Sequence, residues 1–153
     1  MDANTEIARR ELTMTRTFDA PRALVFKAWT QPEHIARWWG CPQTQKINVS
    51  NDLRVGGSLR AEMTLEDGTL HIVIGTYLEI DEPERLSFTW DWESGGLGTE
   101  TVVTILLEEA GAQTKMTMTH RLFDTAELRD LHSEGWTESL GRLEAALADG
   151  AFA

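Results

Sequence analysis

The sequence has one cysteine, no long apolar run and few basic residues, and each shortage excludes a class of protein. Cys41 has no second cysteine to pair with, which is typical of a reducing compartment. No apolar run approaches the roughly 20 residues that a membrane-spanning helix needs. The first eleven residues mix charges and lack the apolar core of a signal peptide. We therefore predict a cytoplasmic protein that does not insert into a membrane.

Basic side chains are outnumbered by acidic ones, 14 against 25, which leaves a net charge of −11. The sequence contains no cluster of lysine and arginine that could follow a phosphate backbone, so we expect no nucleic-acid partner. The histidines show no paired metal-ligand spacing, and a single cysteine cannot build a thiolate zinc site; they are His34, His71, His120 and His132. We expect neither a metal nor another cofactor.

One stretch of the sequence, Arg85–Trp92, predicts a strand with an unusually bulky inner face. Its alternation places Leu86, Phe88, Trp90 and Trp92 on one side. Each aromatic ring there can hide about 150–250 Å² of surface, so this side needs a helix or a ligand opposite it. The end of the chain predicts such a helix to about residue 148, with a stripe at three- and four-residue steps formed by Leu128, His132, Trp136, Leu140, Leu143 and Leu147.

The remaining segments predict an α+β arrangement. A strand over residues 12–18 precedes two short helices, for which Asp19 and Thr30 are the expected caps. About six strands follow between residues 44 and 120, and Asp124 or Thr125 is expected to cap the long helix. This order predicts a curved antiparallel sheet packed on one C-terminal helix. We expect residues 1–10 to be a flexible terminus and residues 11–149 to form a single domain.

Six motifs occur in order along residues 12–148: the run from Arg16 to Thr30, Trp38-Trp39-Gly40, Val55-Gly-Gly57, Gly75-Thr-Tyr77, Arg85-Leu-Ser-Phe-Thr-Trp90, and Gly135-Trp136 followed by Leu140 and Leu143. Together they resemble the Hsp90-ATPase-activator-like proteins (AHSA1-type) of the START/Bet v 1-like, or SRPBCC, superfamily. The resemblance implies a helix-grip fold, in which the sheet wraps the C-terminal helix and leaves a cavity between them. That superfamily includes lipid carriers, receptors, cyclases and co-chaperone domains, so the fold does not specify an activity.

The resemblance and the bulky inner face together predict that the cavity binds a small apolar or aromatic molecule. The predicted contacts are Trp39, Met63, Tyr77, Phe88, Trp90, Trp92, Met118, His120, His132 and Trp136. The alternative for Trp90 and Trp92 is that they fill this space by packing on Trp136 and the short helices.

His120 is the one candidate catalytic residue. It follows Met116 and Met118 on the face that we assign inward, where an imidazole could orient a ligand. In a cyclase- or hydrolase-type enzyme it would act as general acid or base. The alternative is a structural histidine that is hydrogen-bonded at a strand end. We expect binding rather than catalysis.

Two further positions leave alternatives open. Arg16 lies on an apolar strand face and needs an anionic partner if it is buried. The candidates are Glu134, Asp124 and a ligand carboxylate. Gly135 lies inside the long helix at a cost of roughly 1 kcal/mol relative to alanine. It either leaves room for a ligand or permits close packing.

The pair Trp38-Trp39 bears on possible macromolecular partners. The two rings either pack in the core or form a ligand gate, a homodimer surface or a chaperone-binding patch. The second functional hypothesis is therefore a co-chaperone-like interaction domain, similar to the C-terminal domain of Hsp90 ATPase activators.

Overall fold

A computed structural model describes residues 10–40, 43–93 and 100–150. It confirms the predicted α+β fold, a seven-stranded antiparallel sheet that curves around a long C-terminal helix. The segment expected to be a flexible terminus lies outside the described residues except for Arg10, and Cys41 also lies outside them.

The sheet is a succession of hairpins that the first strand completes. Its strands are β1 (Leu12–Phe18), β2 (Thr44–Asn51), β3 (Ser58–Leu65), β4 (Leu70–Asp81), β5 (Arg85–Trp92), β6 (Thr101–Ala110) and β7 (Gln113–Arg121). They are arranged in the order β1-β7-β6-β5-β4-β3-β2. Short turns suffice between antiparallel neighbours. In the β3–β4 turn Gly68 adopts a φ of +87°, which explains the Asp-Gly sequence there.

Three helices complete the fold: α1 (Arg22–Thr30), α2 (Pro32–Trp38) and α3 (Ala126–Ala148). The predicted cap of α3 is confirmed, because the Thr125 side chain accepts a hydrogen bond from the Leu128 amide. The predicted caps of α1 and α2 are wrong. Pro21 and Gln31 occupy those positions without side-chain capping bonds. Thr30 instead donates its hydroxyl to the Phe26 carbonyl within α1.

The core lies between the concave face of the sheet and α3. The helical stripe is buried from Trp136 through Leu140 and Leu143 to Leu147. Nearer the start of the same helix the stripe is less completely buried against the sheet, since His132 is only half-buried. The N-terminal half of α3 is therefore packed less tightly on the sheet than the C-terminal half.

The ion pair of Arg16 differs from the prediction. Its guanidinium lies 3.7 Å from the carboxylate of Glu144, not from Glu134 or Asp124. β1 contacts α3, and Glu144 lies in the C-terminal half of that helix. Both side chains retain solvent exposure, so the pair contributes little to stability.

Candidate ligand-binding site

A cavity of about 350 Å³ lies between the inner face of the sheet and the N-terminal half of α3. Its volume is in the range of small-molecule sites, about 300–1,000 Å³. The residues that line it come from β3, β4, β5, α3 and the segment after α2: Trp39, Gly40, Met63, Leu65, His71, Trp90, Trp92, Leu131, His132, Gly135, Trp136 and Ser139. Aromatic rings and aliphatic chains make up most of this wall.

Six of the ten predicted contacts line the cavity, and four are buried in the core outside its wall. The six are Trp39, Met63, Trp90, Trp92, His132 and Trp136; the four are Tyr77, Phe88, Met118 and His120. Tyr77 and Phe88 pack on each other with ring centroids 6.2 Å apart. The period-two pattern identifies the inner face of β5 but not how far along the strand the cavity extends.

Several lining residues were not predicted from the sequence. His71 is opposite Met63 in the β3–β4 register, so an exact register would have indicated it. Ser139 lies one turn after Trp136 on α3, and its hydroxyl donates to the Gly40 carbonyl over 2.7 Å. Leu131 is exposed, and no pattern in the sequence marks it.

Trp90 is the centre of the tryptophan cluster, and its ring contacts three other tryptophans. Its ring stacks on Trp39 at a centroid distance of 5.2 Å and meets Trp136 at 5.1 Å. Trp92 approaches it edge-on at 5.8 Å. Each such aromatic pair is worth about 0.5–1.5 kcal/mol beyond the area it buries. The cluster therefore fills the core on one side and lines the cavity on the other.

The ring of His120 is buried and uses both nitrogens in hydrogen bonds. Nδ1 accepts from Trp136 Nε1 at 3.0 Å, and Nε2 lies 2.8 Å from Thr101 Oγ1. Because an indole N–H can only donate, Nδ1 carries no proton, and the proton of the neutral ring is on Nε2. Thr101 Oγ1 in turn donates to the Trp90 carbonyl over 2.7 Å. This arrangement matches the structural alternative for His120.

The position of His120 also determines its charge. Burial lowers the pKa of the imidazole well below its ordinary value, and the neighbouring His132 lowers it further. A general acid or base must reach the group whose proton it transfers. The fully buried ring of His120 lies outside the cavity wall, so it cannot meet that requirement in this conformation.

His132 repeats the same pattern at the wall of the cavity. Its Nε2 accepts from Trp92 Nε1 at 3.0 Å, so its proton is on Nδ1, which lies 2.8 Å from the Leu128 carbonyl. Burial lowers the pKa of His132, and the bond to Leu128 opposes that shift. Both histidines are therefore held neutral, each by a tryptophan donor.

Gly135 lies at the mouth of the cavity, which we define by Leu131 and Gly135 of α3. A Cβ added at Gly135 would have no described atom within 4 Å outside the backbone of its own helix. Close packing therefore does not explain this glycine, and the alternative that it leaves space is favoured. An open groove with Glu134 and Glu138 in its lining adjoins the mouth and shares Leu131 and Gly135 with the cavity.

Trp38 and Trp39 are both buried, and they do not form the exposed patch considered from the sequence. Trp38 Nε1 donates to the Ala28 carbonyl over 2.9 Å. Trp39 stacks on Trp90 and lines the cavity. Core packing is therefore the role of Trp38, and Trp39 combines packing with the cavity wall.

The described ranges also set limits on other sites. Within residues 10–40, 43–93 and 100–150, no three His, Cys, Asp or Glu side chains are grouped closely enough to hold a metal ion. No helix in this part of the chain combines the length and apolar character that crossing a bilayer requires.

Comparison with solved structures finds close similarity to several bacterial proteins. An AHSA1 protein from Silicibacter pomeroyi shares 27% sequence identity, with 90% of this chain and 97% of that chain covered and a TM-score of 0.78. A protein from Chromobacterium violaceum shares 26% identity, with coverages of 90% and 96% and a TM-score of 0.80. One from Arthrobacter aurescens shares 25% identity, with coverages of 94% and 88% and a TM-score of 0.82.

The comparison with curated proteins finds no match. The family model described as "Activator of Hsp90 ATPase homolog 1-like protein" matches residues 19–148, which is most of the chain. These residues include both short helices, β2 to β7 and all of α3. The chain therefore belongs to the family of Activator of Hsp90 ATPase homolog 1-like proteins.

Proposed function

We propose that this protein binds a small apolar or aromatic molecule in the cavity between the sheet and α3. The observation that carries the proposal is the tryptophan wall: Trp39, Trp90, Trp92 and Trp136 all line one space of about 350 Å³. A flat ring entering this space would replace water contacts with contacts to indole surfaces, which favours binding in proportion to the apolar area removed from water.

The wall is organised before a ligand enters. Trp136 and Trp92 are each tied to a histidine through their indole N–H, and Trp39 is stacked on Trp90. A rigid wall loses little side-chain freedom on binding, which leaves more of the contact energy as affinity. A cavity held only by aliphatic rotamers would lose part of that energy in ordering.

The test is a fluorescence titration with the neutral apolar dye N-phenyl-1-naphthylamine. We expect saturable dye emission together with quenching of tryptophan fluorescence. Gly135→Phe places a ring at the mouth and should weaken dye binding about tenfold or more, on the order of 1.4 kcal/mol. Gly141→Phe is the matched control, because a Cβ there also meets no described atom within 4 Å and Gly141 is not among the lining residues.

Two outcomes would contradict this proposal. One is the absence of saturable dye binding to the wild-type protein. The other is equal binding by both glycine variants, which would place the dye elsewhere on the surface.

A second proposed function is docking on a partner protein of the Hsp90 chaperone type. The family description supports it, together with a row of exposed apolar side chains on the outer face of β4, Leu70, Ile74 and Leu78. Exposed apolar side chains in a row are a feature of interaction sites. The double change Ile74→Ser and Leu78→Ser should abolish stimulation of an Hsp90 ATPase without affecting dye binding. Unchanged stimulation would contradict docking through this face.

A further inference from the structure

We propose that the cavity prefers a hydrophobic organic cation, in particular one that carries a quaternary ammonium group. This inference rests on the proposed binding function, because it names the class of molecule that the same cavity takes. Indole faces carry negative electrostatic potential, and tryptophan is the strongest of the aromatic partners for a cation. Four tryptophans line this one cavity.

The wall offers little to an anion or to a carbonyl oxygen. Among the described residues that line the cavity there is no lysine or arginine. The indole donors of Trp92 and Trp136 are already used by His132 and His120. The N–H of Trp90 has no acceptor among the described residues, but its nitrogen is buried and presents no surface to the cavity. An anionic ligand would therefore lose its hydration without meeting a lysine, an arginine or a free indole donor on Trp90, Trp92 or Trp136.

Of the two histidines that line the cavity, His71 and His132, the second is held in a form that is compatible with a cation. His132 would repel a positive ligand if it were protonated. Its Nε2 accepts the Trp92 N–H, so a proton on Nε2 would set two donors against each other at 3.0 Å. The hydrogen bond that positions Trp92 thus also keeps positive charge off His132.

Two acidic side chains lie beside the entrance. Glu134 and Glu138 line the groove that shares Leu131 and Gly135 with the cavity. The whole chain carries a net charge of −11. Such a field raises the local concentration of cations and the rate at which they enter. A quaternary ammonium is weakly hydrated compared with a primary ammonium, so it loses less on transfer to an aromatic wall.

The first experiment compares three probes of the same shape and different charge. Benzyltrimethylammonium, neopentylbenzene and phenylmethanesulfonate are titrated separately into the wild-type protein, with tryptophan quenching as the readout. We expect the cation to bind about tenfold or more tightly than the neutral isostere, and the anion to bind most weakly. The comparison is stringent because the neutral isostere is the more hydrophobic of the two.

The outcomes separate this inference from the proposed function. Equal or tighter binding of neopentylbenzene would overturn the preference for a cation while leaving apolar binding intact. Failure of all three probes to bind, together with failure of the naphthylamine dye, would overturn both.

Variants test the two sources of the preference. Trp92→Leu also removes the donor to His132, so it is titrated at about pH 8, above the ordinary histidine pKa near 6.5. It should reduce the ratio of cation to neutral affinity several-fold, because it removes an indole face but keeps an apolar side chain. Glu134→Gln with Glu138→Gln should weaken cation binding about threefold at low salt and leave the neutral probe unchanged. Glu82→Gln with Glu108→Gln carries the same change of charge and is the control. Glu82 follows the end of β4 that is distant from the cavity, and Glu108 lies near the C-terminal end of β6.

A Trp92→Leu variant with an unchanged ratio would overturn the aromatic basis of the preference. Equal weakening by the two glutamate pairs would overturn the contribution of the mouth.

Discussion

Trp136 of α3 donates its indole N–H to Nδ1 of His120 on β7 over 3.0 Å, and both side chains are buried. This bond joins the helix to the sheet beside the cavity. The same imidazole is hydrogen-bonded through Nε2 to the Thr101 hydroxyl, which donates in turn to the carbonyl of Trp90. A change at any one member therefore leaves a buried polar group of another without its partner.

Replacement of Trp136 by phenylalanine should lower the free energy of unfolding by about 2–4 kcal/mol. The change removes ring volume from a buried site and leaves His120 Nδ1 without its donor. Trp92→Phe is the matched control, since it also removes a donor from a histidine but at a half-buried position where water can replace it. Urea unfolding measures both. Equal losses of unfolding free energy in the two variants would contradict the argument that the buried histidine is the more costly one to leave without a donor.

Stability should fall as the pH is lowered below about 6.5. The folded-state pKa of both His120 and His132 is lowered. At a pH between that lowered pKa and the ordinary histidine pKa near 6.5, the unfolded chain therefore binds more protons than the folded protein does. Stability is therefore fully present above pH 6.5 and decreases toward the folded-state pKa. For a fully buried histidine the slope is about 1.4 kcal/mol per pH unit.

Urea unfolding at pH 7.5, 6.0 and 5.0 measures this slope. His132→Gln keeps an acceptor for the Trp92 N–H but does not titrate, so it should be less sensitive to pH than the wild type. The same slope in both proteins would show that His132 does not contribute.

Gly135→Ala should raise the free energy of unfolding by about 0.5–1 kcal/mol. A methyl group there meets no described atom within 4 Å outside its own helix, and alanine is the better helix former. The melting temperature should rise by about 1–4 °C. Gly141→Ala should behave in the same way, because its surroundings are equally open. Loss of stability at Gly135 alone would show that the space is occupied.

Gly75→Ala should destabilise the protein by about 2 kcal/mol or more. A Cβ at this position of β4 would lie 2.1 Å from the Thr89 carbonyl oxygen, which is backbone and cannot move aside cheaply. Thermal unfolding compares it with Gly135→Ala, for which the expected sign is opposite. A neutral Gly75→Ala would contradict the close approach of β4 and β5.

The sequence alone was sufficient for the architecture. Period-two alternation in Arg85–Trp92 indicated the inner face of β5, and the three- and four-residue steps of the last segment indicated the buried side of α3. These patterns are local, because strand and helix geometry set which side chains share a face. The ordered motifs indicated the helix-grip fold and the family, and the family model and the solved structures confirm both.

Tertiary structure decided which residues of the inner face meet a cavity. Phe88 and Trp90 share that face, yet only Trp90 reaches the cavity wall. Phe88 and Trp90 differ in this way because the N-terminal half of α3 lies farther from the sheet beside Trp90. No local sequence pattern encodes that distance.

The hydrogen-bonding partners of the tryptophans were likewise beyond the sequence. Trp92 and His132 are 40 positions apart, and Trp136 and His120 are 16 apart. Their ring nitrogens meet only because β5, β7 and α3 converge at the cavity. The residues that the sequence marked as bulky were therefore correctly chosen for the core, while their roles as wall, filler or donor follow from packing across the whole fold.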